Sequence, residues 1–134
     1  MAKILVVDDD ENIRQYYMEE LSDDGHQVSA VAAGHQLLRT IDLFKPDVVV
    51  LDIKLVDYDG LELLKEIRNE YYNLPVILWS AYQTYKYDLR SISADYYVVK
   101  SFDLSELKTL INRAVEAHKP GHLPEADPEI PSNS

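Results

Sequence analysis

Asp47-Val48-Val49-Val50-Leu51-Asp52 is a run of four aliphatic residues closed at each end by a carboxylate. A strand with one face in water alternates apolar and polar residues. This one does not, so both of its faces are expected to be buried, as in a parallel sheet covered by helices. Asp52 then stands at the carboxyl edge of the sheet, where open α/β folds place their ligands. The same pattern recurs near the N-terminus, where Ile4-Leu5-Val6-Val7 runs into Asp8-Asp9-Asp10.

Between and after these runs, strand and helix signals alternate. Residues 3–7 form the first expected strand. A helix follows from residue 11 to about 24, with Asp10 as N-cap and Gly25 at its C-terminal end. Ile13, Tyr17 and Leu21 recur every four residues and would face the sheet. Residues 27–31 read as a second strand and about 34–44 as a second helix, stopped by Pro46. Residues 47–51 are the third strand. Gly60 opens a third helix carrying Leu61, Leu64 and Ile67 on one stripe, and Asn73-Leu74-Pro75 is a turn. Residues 76–79 are the fourth strand, ending at Ser80. Residues 82–92 are expected as a short or irregular helix. Residues 96–99 are the fifth strand, ending at Lys100, and Asp103 caps a last helix reaching about Ala117. Such alternation implies right-handed crossovers and a doubly wound parallel α/β sheet, with strand order 2-1-3-4-5. Strands 1 and 3 are then neighbours at the point where the order reverses.

Residues 1–117 read as one domain, a size suited to a single folded unit. Residues 118–134 differ: Pro120, Gly121, Pro124, Pro128 and Pro131 crowd a stretch of acids and serines. This segment cannot bury enough apolar surface to offset its ordering entropy, and is expected to be a disordered tail or linker. No apolar run approaches the ~20 residues of a membrane span, and the opening residues lack the layout of a signal peptide. The chain has no cysteine, which excludes disulfides and thiolate metal sites and fits a cytoplasmic location. Its net charge of −11 argues against direct contact with nucleic acid or anionic lipid, both of which need a basic patch.

Most of that charge is ordinary surface solvation. Acids gathered at strand ends need another account. Two carboxylates ~4 Å apart repel by ~4 kcal/mol at an effective dielectric of ~20. A fold seeking only solubility would spread them; convergence makes sense if a hard cation compensates them. Mg²⁺ prefers oxygen ligands and commonly uses one or two carboxylates plus phosphate oxygens. Asp9 and Asp52 are read as its ligands with Asp8, whereas Asp10 is better read as a helix cap. A cation there would neutralise an incoming phosphate, and an aspartate oxygen is a competent nucleophile toward phosphorus. Lys100 can supply a positive contact to phosphoryl oxygens and Ser80 a hydroxyl.

Val6-Val7-Asp8-Asp9, Leu51-Asp52, Asp59-Gly60, Ser80-Ala81 and Tyr97-Val98-Val99-Lys100 together resemble the receiver domain of two-component response regulators, over about residues 2–117. The resemblance implies a flavodoxin-like (βα)5 fold of the CheY-like superfamily. It implies Asp52 as phosphoacceptor, with a sensor histidine kinase or phosphotransfer protein as donor. It makes Asp9 a direct ligand of Mg²⁺ (or Mn²⁺), Asp8 a ligand through water, and the backbone carbonyl of Lys54 a third protein ligand. Ser80 and Lys100 would bind the phosphoryl group, and Tyr97 would be the switch aromatic. Output would run through the face built from residues 82–92, strand 96–99 and the last helix, to a downstream protein or a second copy of the chain. Such a domain catalyses its own phosphorylation and is not a turnover enzyme.

Several residues depart from that pattern. Ser101 follows Lys100 where the family usually has a cis-linked proline, so Lys100 is expected either to sit on a cis bond or to be displaced by a trans one. Val56 replaces a loop proline. The segment from Ser80 to Lys100 is about two residues short, and Ser93-Ala94-Asp95 stands where a glycine is usual. Lys54 and Tyr82 occupy positions that govern dephosphorylation in the family, and suggest a slow rate. Tyr82, Tyr85, Tyr87 and Tyr96 gather near the expected output face. These departures make a degenerate receiver, used only for docking or dimerisation, the alternative reading. An aspartyl phosphohydrolase of the haloacid dehalogenase type is disfavoured, because Lys54 holds the place of its second aspartate.

Overall fold

The computed structural model describes residues 2–55, 57–81, 94–101 and 103–117. Five strands, β1 (Lys3–Val7), β2 (Gln27–Val31), β3 (Val48–Asp52), β4 (Val76–Ser80) and β5 (Tyr96–Val99), pair in parallel in the order β2-β1-β3-β4-β5. Every residue of β3 and of β4 is buried, as their unbroken aliphatic character requires.

Helices cover both faces. On one, Ile4, Val6, Val48, Val50, Ile77, Trp79 and Val98 pack against Tyr17 and Leu21 of α1 (Glu11–Asp23) and Leu107, Ile111 and Ala114 of α4 (Ser105–Ala117). On the other, Leu5, Val7, Val49, Leu51, Val76 and Leu78 pack against Leu37 and Ile41 of α2 (Leu37–Phe44) and Leu61, Leu64 and Ile67 of α3 (Gly60–Glu70). Successive strand residues thus alternate between two cores, each side chain contributing ~1.5–3 kcal/mol by burial.

The helix ends follow from local chemistry. The Asp10 carboxylate accepts from the amides of Asn12 and Ile13 and starts α1. Gly25 takes φ +91° just beyond its end. Asp59 caps α3 through the Leu61 amide at 2.9 Å. The Asp103 carboxylate accepts from the Ser105 amide and hydroxyl, at 2.9 and 2.6 Å, where α4 begins.

The second helix differs from its sequence reading. Gly34–Gln36 is a 3-10 turn, and α2 starts only at Leu37. The cause is distant in sequence: the Asp57 carboxylate takes the amides of Gly34 (2.8 Å) and His35 (3.2 Å) and the His35 ring at 2.7 Å. The missing glycine before β5 also has a physical replacement. Asp95 accepts the Val76 amide at 2.8 Å and pairs with Arg68 at 2.8 Å, which pins the start of β5 to β4 and α3. The expected helix of 82–92 and the tail of 118–134 lie outside the described residues, as do Val56, Tyr82, Tyr85 and Tyr87. No helix among the described residues is long and apolar enough to cross a membrane.

Candidate functional site

Strand parity brings the site together. Asp8 lies two residues beyond Val6, Asp52 two beyond Val50, and Lys100 two beyond Val98, all on the sheet face covered by α1 and α4. The ladder continues through the strand ends. The Asp8 amide donates to the Val31 carbonyl at 3.2 Å, and the Lys100 amide to the Ser80 carbonyl at 2.8 Å. Extended backbone therefore carries both side chains to the carboxyl rim.

At that rim Lys100 Nζ lies 2.7 Å from Asp8 Oδ2 and 3.2 Å from Asp52 Oδ2. Asp8 is fully buried, Asp52 nearly so at 5% exposure, and the Lys100 side chain is mostly covered. Asp9 completes an acidic cluster in which Asp8, Asp9 and Asp52 offer oxygens within 4.8 Å of one another. No cis peptide bond occurs among the described residues, and Lys100 reaches both carboxylates with a trans bond to Ser101.

Burial dominates the titration of Asp52 and pushes its pKa up to about 6; the Lys100 charge opposes the rise and Asp8 adds to it. Burial alone would lower Lys100. Its hydrogen bond to Asp8 and the charges of Asp52 and Asp8 outweigh that and raise it, so the ammonium persists at neutral pH. Tyr17 beneath the site is raised by burial and by Asp8, and stays protonated.

The backbone around the acids is fixed from several sides. Arg14 Nη1 donates to the Asp8 carbonyl at 2.8 Å and the Asp10 amide to Asp8 Oδ1 at 2.9 Å. The Lys54 amide donates to Asp52 Oδ1 at 3.3 Å, and Lys54 bridges to Asp59 across the loop while its side chain is exposed. Gly60 packs directly on this turn: its amide donates to the Ile53 carbonyl at 2.7 Å, and a Cβ there would lie 2.2 Å from the Asp52 carbonyl oxygen. Ser80 is buried at the end of β4. Tyr97 is half-buried on the opposite sheet face, against the core shared with α2 and α3.

Two features escaped sequence reading. Trp79 pairs with Asp52 in the β3–β4 register, and its ring centroid lies 5.2 Å from Lys100 Nζ. The His35–Asp57 contact ties the loop after Asp52 to the segment after β2. A register drawn from the two aliphatic runs would have found the first; periodicity carries no signal for the second.

A parallel α/β sheet with three acids and a lysine converging at its switch point defines a class of acidic-pocket domains. The model of the response regulator receiver domain matches residues 4–112, and the chain belongs to that family. It is similar to the regulatory protein AtoC of Escherichia coli, with 36% identity over 117 residues, covering 85% of this chain and 25% of that protein. It is 33% identical over 109 residues to the virulence transcriptional regulatory protein PhoP of Salmonella typhimurium, covering 80% of this chain and 49% of PhoP. The chain thus spans a quarter to a half of these relatives. Among solved structures, the response regulator TrrA of Thermotoga maritima in complex with Mg(2+)-BeF shares 40% identity at a TM-score of 0.82, covering 85% of this chain and 99% of that one. TrrA in complex with the histidine kinase ThkA shares 39% at 0.81, covering 86% and 99%.

Proposed function

We propose that this receiver domain is phosphorylated on Asp52 within a two-component phosphorelay. The observation that carries the reading is the convergence of Asp8, Asp9, Asp52 and Lys100 at one rim of the sheet. The donor is a phosphohistidine on a sensor histidine kinase or phosphotransfer protein, in line with the kinase complex of TrrA.

The donor set fits Mg²⁺ or Mn²⁺: clustered carboxylates are hard oxygen ligands that repel one another without a cation. Asp8, Asp9, Asp52 and the Lys54 carbonyl would hold it. When bound, it neutralises phosphoryl charge and aligns the group for in-line attack. The chain's own residues do the rest. An Asp52 carboxylate oxygen bonds to phosphorus as the phosphorus–nitrogen bond to the donor imidazole breaks, giving an acyl phosphate and a free histidine. Lys100 moves its charge from the carboxylate pair to the phosphoryl oxygens, and the Ser80 hydroxyl donates to them. Asp10 is spent on capping α1. The domain drives its own phosphorylation and has no turnover substrate.

Phosphorylation adds roughly −1.5 to −2 of charge beside Ser80. Tyr97, one strand over, serves as the switch aromatic, and output passes through β5, α4 and the segment 82–92 to a downstream protein or a second copy of the chain. A partner shifts this equilibrium by its differential affinity for the two forms. Lys54 and Tyr82 favour slow loss of the phosphoryl group. The domain acts in the cytoplasm, with neither nucleic acid nor membrane as its direct partner.

The test is incubation with Mg²⁺ and acetyl phosphate, followed by intact mass, with Asp52→Ala as control. One phosphoryl adduct, absent from the variant and from Mg²⁺-free samples, is expected. An unmodified wild-type protein would leave docking without phosphorylation as the function.

A further inference from the structure

Lys100 directly follows β5, while Asp52 ends β3, two strands or about 10 Å away. Its side chain must cross β4 to arrive. The β4 residue on that face nearest the rim is Trp79, the partner of Asp52 in the ladder. Lys100 Nζ lies over the Trp79 ring at 5.2 Å from the centroid, within the range of a cation–π contact. The Tyr17 ring packs edge-on against the indole at 4.1 Å between centroids, which restrains its plane.

The indole also carries a cost. Trp79 is 1% exposed, and among the described residues its Nε1 is the buried side-chain polar atom without a hydrogen-bond partner. An aliphatic side chain would fill the same core without stranding a donor. The ring face toward the ammonium is what an aliphatic residue lacks.

We propose that Trp79 is a positioning residue for phosphoryl transfer, its ring holding the Lys100 ammonium at the carboxylates of Asp8 and Asp52. It touches no reacting atom and acts through Lys100. This inference rests on the phosphoacceptor reading of Asp52, and one of its two measurements is independent of that reading.

The first measurement is geometric. In protein carrying ¹³C-labelled lysine, assigned through Lys100→Ala, the Lys100 ε-methylene should resonate upfield in the indole ring current. Trp79→Phe should retain part of that shift and Trp79→Leu should abolish it. The second is kinetic: phosphorylation by acetyl phosphate in Mg²⁺, followed by intact mass. Trp79→Leu should slow it by about fivefold or more, Trp79→Phe should recover most of the rate, and Trp79→Leu should have no further effect in a Lys100→Ala background. Trp79→Met replaces the leucine variant if the latter does not fold. An unshifted Lys100 methylene in the wild type overturns the proposal. So does equal slowing with and without Lys100, which would mark Trp79 as packing alone. A wild type that takes no phosphoryl group defeats the phosphoacceptor reading, while the ring-current measurement still decides the contact.

Discussion

Asp8 and Lys100 stand 92 residues apart and share an ion pair of 2.7 Å in the interior of the rim. Lys100 contacts Asp52 as well, so one ammonium serves two buried carboxylates. Removing the ammonium leaves two buried carboxylates uncompensated, at a cost of several kcal/mol. Lys100→Ala should lower unfolding stability by about 2–4 kcal/mol without divalent cations. Mg²⁺ should restore more stability to the variant than to the wild type. Urea unfolding with and without Mg²⁺ measures both, and coincident curves would contradict the assignment.

Asp52 gives the opposite sign. Its folded pKa of about 6 lies above the ordinary carboxylate value, so between about pH 4 and 6 the folded state holds a proton that the unfolded chain has lost. This group's contribution is therefore most favourable below about pH 4 and declines as pH rises through about 6. Asp52→Asn should stabilise the metal-free protein at pH 7 by about 1–3 kcal/mol and remove that part of the pH dependence. The difference between wild-type and Asn unfolding curves from pH 4 to 8 is the readout. A less stable Asn variant at pH 7 would mean that the carboxylate is a net stabiliser.

Gly60 admits no side chain. A Cβ would meet Asp52 O at 2.2 Å and Ile53 Cα at 2.6 Å, both main-chain atoms that cannot rotate aside. Gly60→Ala should cost about 1–3 kcal/mol, as overpacking does, and should displace the turn bearing Asp52 and Lys54. Thermal unfolding and acetyl phosphate labelling should fall together; a variant with wild-type values for both would show that the turn relaxes freely.

Asp57 binds Gly34, His35 and the His35 ring. The ring contact first, and then the Gly34 amide, hold its carboxyl down at about 2. Its contribution is thus present above about pH 4 and lost as pH falls through 2. Asp57→Ala should speed amide exchange of Gly34 and His35 by about tenfold or more and leave the deep amides of β3 unchanged. Hydrogen exchange by NMR distinguishes this local loosening from a global loss.

The strands were legible because β1, β3, β4 and β5 are each a largely apolar run that stops on a polar residue. Asp8, Asp52, Ser80 and Lys100 mark those stops, and the strand order follows the doubly wound pattern that alternating elements imply. The capping of α1 by Asp10 was equally local. The late start of α2 was not, since the carboxylate that captures Gly34 and His35 comes from over twenty residues downstream. Asp95 looked like a missing glycine; only the tertiary structure shows it bonded to Val76 and Arg68. The displacement of Lys100 expected with a trans bond to Ser101 did not occur: its head stays with two carboxylate partners. Trp79 was legible only as the last residue of the fourth strand; its burial and its contact with Lys100 depend on register and on the reach of a side chain from just beyond β5.

Val6, Val50 and Val98 are exchangeable for other aliphatics of similar volume, whereas the number of residues between each of them and the acid or lysine it precedes is not. A one-residue insertion in β3 would keep its oiliness and its place in the sheet, yet turn Asp52 toward α2 and α3, away from Lys100. Substitution along these strands is therefore free in spelling and constrained in counting. A homologue that has lost this chemistry would betray itself by an odd-length gap as readily as by a replaced aspartate.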